Sequence, residues 1–121
     1  MRESSAPPIT ETTFAILLSV ADRPRHGYAI MKQVEAFSAS RIRLSTGTLY
    51  GALKRFLDKG WIARVDETLP EGSEASGRVR KAYTLTRAGR QIVAAEAARL
   101  RELTTVAESL IARTRRAGAS S

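Results

Sequence analysis

The sequence contains no cysteine and one histidine, His26, among 121 residues. The first absence excludes a disulfide framework, a thiolate zinc site and a cysteine nucleophile. The second leaves no ligand set for a metal and no imidazole dyad. His26 stands between Arg25 and Gly27 with no carboxylate cluster of suitable spacing beside it, so a capping or structural role is expected. Glycine-rich phosphate loops of the mono- or dinucleotide type are missing too. Enzyme chemistry, a metal and a cofactor therefore find no footing. No apolar run reaches the roughly 18 residues of a membrane span. The opening MRESSAPP lacks the apolar core of a signal peptide, so a cytoplasmic location is the default expectation. Aromatic residues are sparse at 6%, and none follows Tyr83.

What the chain has in excess is positive charge, a formal net +8 with pI near 10.8. A balance of that sign favours a polyanionic partner, and its distribution is more telling than its total. Six basic residues and a single acid, Asp58, fall between Arg41 and Arg64. Five basic residues and no acid fall between Arg78 and Arg90, whereas Asp66 to Glu74 holds four acids and no base. Apolar residues at 43% and charged residues at 26% are ordinary globular usage. The length fits one small domain with an appended element, a size at which oligomerisation helps stability.

Periodicity gives the order of elements. Residues 1–8 read as a flexible tail with two prolines. Thr10 can cap a first helix with Phe14, Leu17, Leu18 and Ala21 at helical spacing, ended by Pro24. A second helix is predicted from about Gly27 to Phe37, with Ile30, Met31, Val34 and Phe37 inward. A turn at Ser38–Ser40 and a brief extended stretch at Arg41–Leu44 lead to a third helix, about Thr46 to Lys59. Its inner face is Leu49, Leu53, Phe56 and Leu57, with Ala52 and Tyr50 at the edges. Its outer face is Gly47, Thr48, Gly51, Lys54, Arg55 and Asp58. Gly47 and Gly51 each cost about 1 kcal/mol of helix propensity relative to alanine. Close backbone approach to a bulky partner is one reason to keep them; for Gly47, a position at the frayed helix start is the other.

Gly60 ends that helix, and Trp61–Val65 and Val79–Leu85 read as antiparallel strands around a long loop, Asp66 to Arg78. Thr86 then caps a final helix to about Arg116. The order is that of a winged helix-turn-helix: α+β, mostly α, with a two-stranded wing over residues 9–86, a long C-terminal helix over 87–116 and a flexible tail at 117–121. Val93, Ala97, Leu100, Leu103, Ala107 and Leu110 recur every three or four residues along the last helix, flanked by Val106 and Ile111. A helix this long overhangs so small a core, and a second copy of the chain is the simplest cover for its stripe. Packing back on its own domain is the other reading.

In such a fold the third helix enters the major groove of double-stranded DNA. Thr46 and Thr48 offer hydroxyls at its start, where Ser45 precedes it and the helix terminus itself attracts phosphate. Lys54, Arg55, Arg41 and Arg43 are placed to neutralise phosphates; a merely solvated face is the alternative for each. Tyr50 is either a backbone contact or a half-buried core residue. Arg78, Arg80 and Lys81 would act from the wing, with Arg80 and Lys81 on opposite sides of their strand. The acidic tip with Glu71 and Glu74 argues against deep insertion of the wing. It also supports a second reading, a ligand-sensing or protein-interaction module that keeps the fold without reading DNA.

Four ordered motifs carry a family resemblance: HGYAI at His26–Ile30, STGTLYGALKRF at Ser45–Phe56, KGWI at Lys59–Ile62 and RKAYTLTRAGR at Arg80–Arg90. Over residues 9–116 the chain resembles the PadR family of winged-helix transcriptional regulators, in its short subgroup with a single final helix. The resemblance implies a homodimer on an inverted-repeat operator, usually a repressor released by a small-molecule effector. It places DNA-facing positions at Tyr28, Thr46, Thr48, Tyr50 and Lys54, with the wing's basic residues at Arg78, Arg80 and Lys81. Short-subgroup members can bind flat aromatic drugs or phenolic acids between subunits, sometimes on a tryptophan of the final helix. No aromatic residue is available there in this chain.

Overall fold

A computed structural model describes residues 7–68 and 79–120. Helix α1 (Glu11–Ser19) is capped by Thr10, whose Oγ1 accepts from Thr13 N at 3.0 Å. Ala15, Ile16, Leu17 and Ser19 are all buried, a broader face than a single stripe. The reason is tertiary: α1 packs against both α2 and α4. Phe14 and Leu18 are only half-buried.

Helix α1 already ends at Ser19, short of Ala21 and of the expected break at Pro24, and the next element is a short strand, β1 (Arg25–His26). It pairs with β3, Arg25 opposite Tyr83 and His26 opposite Ala82. The two wing strands, β2 (Ile62–Thr68) and β3 (Val79–Leu85), thus belong to a three-stranded antiparallel sheet of order β1-β3-β2. Two residues are too few to show a period of two, so β1 is invisible in the sequence. Arg25 is fixed by its Nε donating to Ser19 O at 2.6 Å.

Helix α2 (Gly27–Phe37) buries Gly27, Ile30 and Val34. Phe37 departs from the expected inward stripe: it is 52% exposed, because α2 is in its last turn there and none of the described elements covers it. The helix closes through paired bonds, Ser40 N to Glu35 O at 2.8 Å and Ala39 N to Ala36 O at 3.3 Å. These are the two bonds of a Schellman terminus, with Ala39 and Ser40 at φ 52° and 67°. The expected extended stretch at Arg41–Leu44 forms no strand. It is pinned instead by Ile42 N donating to Ser38 Oγ at 2.9 Å and by Arg41 reaching Glu11 at 2.8 Å.

Helix α3 (Thr46–Asp58) ends in the same way, Trp61 N to Phe56 O and Gly60 N to Leu57 O, both 3.0 Å. Here the left-handed position is a glycine, Gly60 at φ 77°, which adopts it without steric cost. Leu49, Leu53, Ile30, Val34, Leu17 and Val20 are essentially inaccessible, and Ile62, Tyr83 and Leu85 close the core from the sheet.

Helix α4 (Arg87–Ser120) continues past Arg116 through most of the stretch expected to be a tail. Thirty-four residues amount to roughly 50 Å of helix. Its first turns belong to the domain: Ile92 and Val93 pack on the core. Glu96 is 5% exposed and accepts from Ile9 N at 3.4 Å and from Arg99. From Leu100 to Ile111 the large apolar side chains are exposed.

The Arg99 guanidinium, with a smaller contribution from Ile9 N, holds the Glu96 carboxyl below the usual carboxylate range against the opposing effect of burial. A depressed folded value stabilises above the unfolded glutamate value, about 4.3, and that contribution is lost as pH falls through the lower folded value. Acid should therefore loosen the N-terminal segment from α4, and Glu96→Gln should flatten the dependence. Melting temperatures at pH 7 and pH 3 are the check. An acid-induced drop equally large in the variant would assign the sensitivity to other carboxylates.

Candidate nucleic-acid interface

The Ser45 hydroxyl caps α3 by accepting from Thr48 N at 3.1 Å and donates to Thr48 Oγ1 at 2.9 Å. Ser45 is thereby occupied with the helix start. Thr48 Oγ1 acts as an acceptor in that bond, which leaves its own proton for an outside acceptor. Thr46, Gly47, Thr48, Gly51, Lys54 and Arg55 are all exposed, while Leu49, Ala52, Leu53 and Phe56 are buried. The helix is thus held from one side and bare on the other. Nothing lies within 4 Å of a side chain placed at Gly47, and only the Arg55 guanidinium comes that near at Gly51.

The cations on and around this face have intramolecular partners. Lys54 Nζ lies 3.8 Å from Asp58, Arg43 3.7 Å from Glu35 and Arg41 2.8 Å from Glu11. All six side chains are well exposed, and exposed pairs of this kind contribute about 0–1 kcal/mol. Phosphates can displace them. Arg55 lies over the Phe56 ring at 5.9 Å, which keeps its stem on the helix surface.

Tyr28, the second residue of α2, is 65% exposed, with Lys32 Nζ 5.5 Å from its ring centroid. Sequence reasoning missed Lys32; its spacing four residues after Tyr28 was the available signal. Tyr50 is 42% exposed and lies across the start of α2. It can do so because position 27 is glycine: a Cβ there would overlap the end of the Tyr50 ring. Tyr50 thus reaches the first turn of α2, the turn that carries Tyr28.

On the described part of the wing, Arg64 and Lys81 both stand beside Asp66. Arg64 is bonded to Asp66 at 2.8 Å on β2, and that hydrogen bond raises the guanidinium value further. Lys81 is exposed on β3 opposite Asp66. Tyr83 is buried beside them, which pushes its hydroxyl above the ordinary phenol value and keeps it uncharged. Arg78 and the acidic tip with Glu71 and Glu74 lie outside the described residues, as does the Arg80 side chain.

Of the residues assigned to the C-terminal seam, Val93 faces the domain's own core and Ala97 is half-buried. Leu100, Leu103 and Leu110 are 38%, 54% and 53% exposed, with Val106 and Ile111 beside them at 54% and 52%. Ala107 is exposed as well. No helix among the described residues is long and apolar enough to cross a membrane, and no metal-binding cluster occurs among them.

Comparison with known proteins adds the family. A 37.1 kDa uncharacterized protein in a transposon of Streptomyces fradiae is 39% identical over 82 residues. The match takes in 68% of this chain but 21% of that protein, so the chain spans about a fifth of its length. A PadR family transcription regulator from hypervirulent Clostridium difficile superposes with TM-score 0.67 at 26% identity, covering 84% of this chain and 99% of that one. Bacillus subtilis PadR in complex with operator DNA has the same fold, TM-score 0.55 at 23% identity over 67% of this chain and 43% of that one. The model of the transcriptional regulator PadR-like family matches residues 16–95, about two thirds of the sequence, from the middle of α1 into α4. The chain belongs to the PadR-like family of transcriptional regulators.

Proposed function

We propose that this chain is a double-stranded DNA-binding regulator that acts as a homodimer on an inverted-repeat operator and represses by occupying it. The observation that carries the reading is the two-sided α3: a buried apolar face anchors a bare face of hydroxyls, glycines and cations. Thr46 and Thr48 are at the end that meets base edges, and Lys54, Arg55 and Arg43 flank it toward phosphates. Ser45 contributes through the helix terminus it caps, Tyr28 and Tyr50 at the α2–α3 junction, and Lys81, with Arg78 and Arg80, from the wing. The bare stripe of α4 is the proposed contact with the second copy, since monomers rarely leave so much contiguous apolar surface in water. Two copies would present their α3 helices about 34–36 Å apart or a multiple of that, one turn of duplex.

Lys54→Ala is expected to weaken binding to all duplexes alike and to lower the slope of log affinity against log salt by about one. Anisotropy titrations of a duplex carrying the gene's own upstream sequence, at several salt concentrations, measure it. Binding indifferent to both salt and Lys54 would remove the mechanism. No shift of that duplex at all would favour the sensing module without DNA.

An effector has a candidate place. A cavity of about 310 Å³ lies between the N-terminal segment, α1 and α4, lined by Ile9, Glu11, Phe14, Glu96, Arg99 and Leu100. Phe14 is its one aromatic residue, and its charged groups suit a compact, polar-headed molecule better than a stacked flat ring.

A further inference from the structure

The junction between α3 and α4 is built more closely than a connection needs. Thr86 Oγ1 donates to Gly60 O at 2.6 Å and accepts from Gly89 N at 3.1 Å. Only a hydroxyl can do both with one atom. Thr86 N donates to Trp61 O at 3.0 Å. Gly89 rests its α-carbon on the Trp61 carbonyl so closely that a Cβ would overlap it. Trp61 in turn stacks on Phe56 of α3, ring centroids 5.7 Å apart. The left-handed Gly60 ends α3 and turns its carbonyl toward Thr86. Helices α3 and α4 share no broad packing face, so this knot is the short route between them.

We infer that Thr86 is a positioning residue for DNA recognition: it locks α3 to the start of α4, so that the α4 seam fixes the half-site spacing the dimer accepts. The inference rests on the DNA-binding homodimer proposed above. Its physical basis is leverage. From Leu100 to Gly118 α4 runs for about 27 Å. A tilt of roughly 7° at the joint displaces one end against the other by about 3.3 Å, close to the ~3.4 Å rise of one base pair. Spacing can be read to a single base pair only if the joint is stiffer than that. Arg90, whose guanidinium donates to Ala21 O at 3.4 Å, braces the same turn of α4 against the end of α1.

The test uses the full chain and an operator selected from a random duplex library, resynthesised with its half-sites moved by one base pair either way. Wild type should prefer the selected spacing by at least tenfold. Thr86→Val, which keeps the side chain's shape and loses both hydroxyl bonds, should bind the three spacings within about threefold while remaining a folded dimer. Thr86→Ser should restore the preference. An unchanged spacing profile in a folded Thr86→Val dimer would overturn the inference, because a hydroxyl needed only for stability leaves that profile alone. If Thr86→Val does not fold, the wild-type joint can be measured directly. The chain has no cysteine, so Asp58→Cys gives one spin-label site per subunit at the end of α3. A narrow label-to-label distance distribution in the DNA-free dimer is expected, and one broader than about 3 Å, a base-pair rise, overturns the inference. A wild-type chain that dimerises and binds duplex with no spacing preference refutes the lock alone. One that binds no duplex refutes the functional reading, and the lock with it.

Discussion

Gly89→Ala is expected to destabilise the folded chain by about 3 kcal/mol, the upper end for overpacking a closed site. The melting temperature should fall by more than about 10 °C. The methyl group would run into the Trp61 carbonyl and the Leu85 side chain. Backbone cannot swing aside as a lysine tip can, and Leu85 is itself 5% exposed in the core. Either α4 lifts from the sheet, losing the Thr86 bonds, or Trp61 moves off Phe56. Gly51→Ala, the same change on the outer face of α3, should do the opposite. It meets nothing closer than the Arg55 guanidinium at 3.9 Å and should raise stability by roughly 0.5–1 kcal/mol through helix propensity. If the groove wall comes up to Gly51, operator affinity should drop as stability rises. Thermal unfolding of both variants decides the matter; a Gly89→Ala melt within about 2 °C of wild type, well under 1 kcal/mol, would show that the contact relaxes easily.

Leu103→Glu combined with Leu110→Glu is expected to leave the winged domain folded and to reduce operator affinity by at least about 100-fold, the gain that linking two half-sites typically supplies. Both leucines are more than half exposed, so the subunit alone loses little packing. Across the proposed seam each carboxylate would be drawn out of water against apolar neighbours, which is strongly unfavourable without a partner. Sedimentation at micromolar concentration should show a monomer, and circular dichroism a helix content near that of wild type. A double variant that stays dimeric places the seam elsewhere on the chain.

The outer face of α3 was legible because a helix of thirteen residues has enough turns for its period to separate Leu49, Leu53 and Phe56 from Thr48, Gly51 and Lys54. Helix ends were legible too, since Thr10 before α1, Gly60 after α3 and Thr86 before α4 signal them by local chemistry alone. Phe37 misled for the same reason that α3 did not: spacing tells which residues share a face, not whether anything covers it. Strand β1 left no signal in two residues, and the use of alanine rather than glycine at the left-handed end of α2 ran against the local preference.

The sequence by itself determined the order of the four helices and the two wing strands, the polarity of α3, the excess of positive charge and the family. All of these depend on residue type and on neighbours within a few turns. Tertiary structure alone decided where the α4 stripe changes role, with Val93 on the domain's core and Leu103 and Leu110 left in water. It also decided that Gly27 makes room for Tyr50, that Glu96 is held by Arg99 and Ile9, and that Thr86 joins the end of α3 to the start of α4. Those contacts link positions as far apart as Ile9 and Glu96, and their partners are chosen by how whole elements pack. No local pattern along the chain encodes that choice.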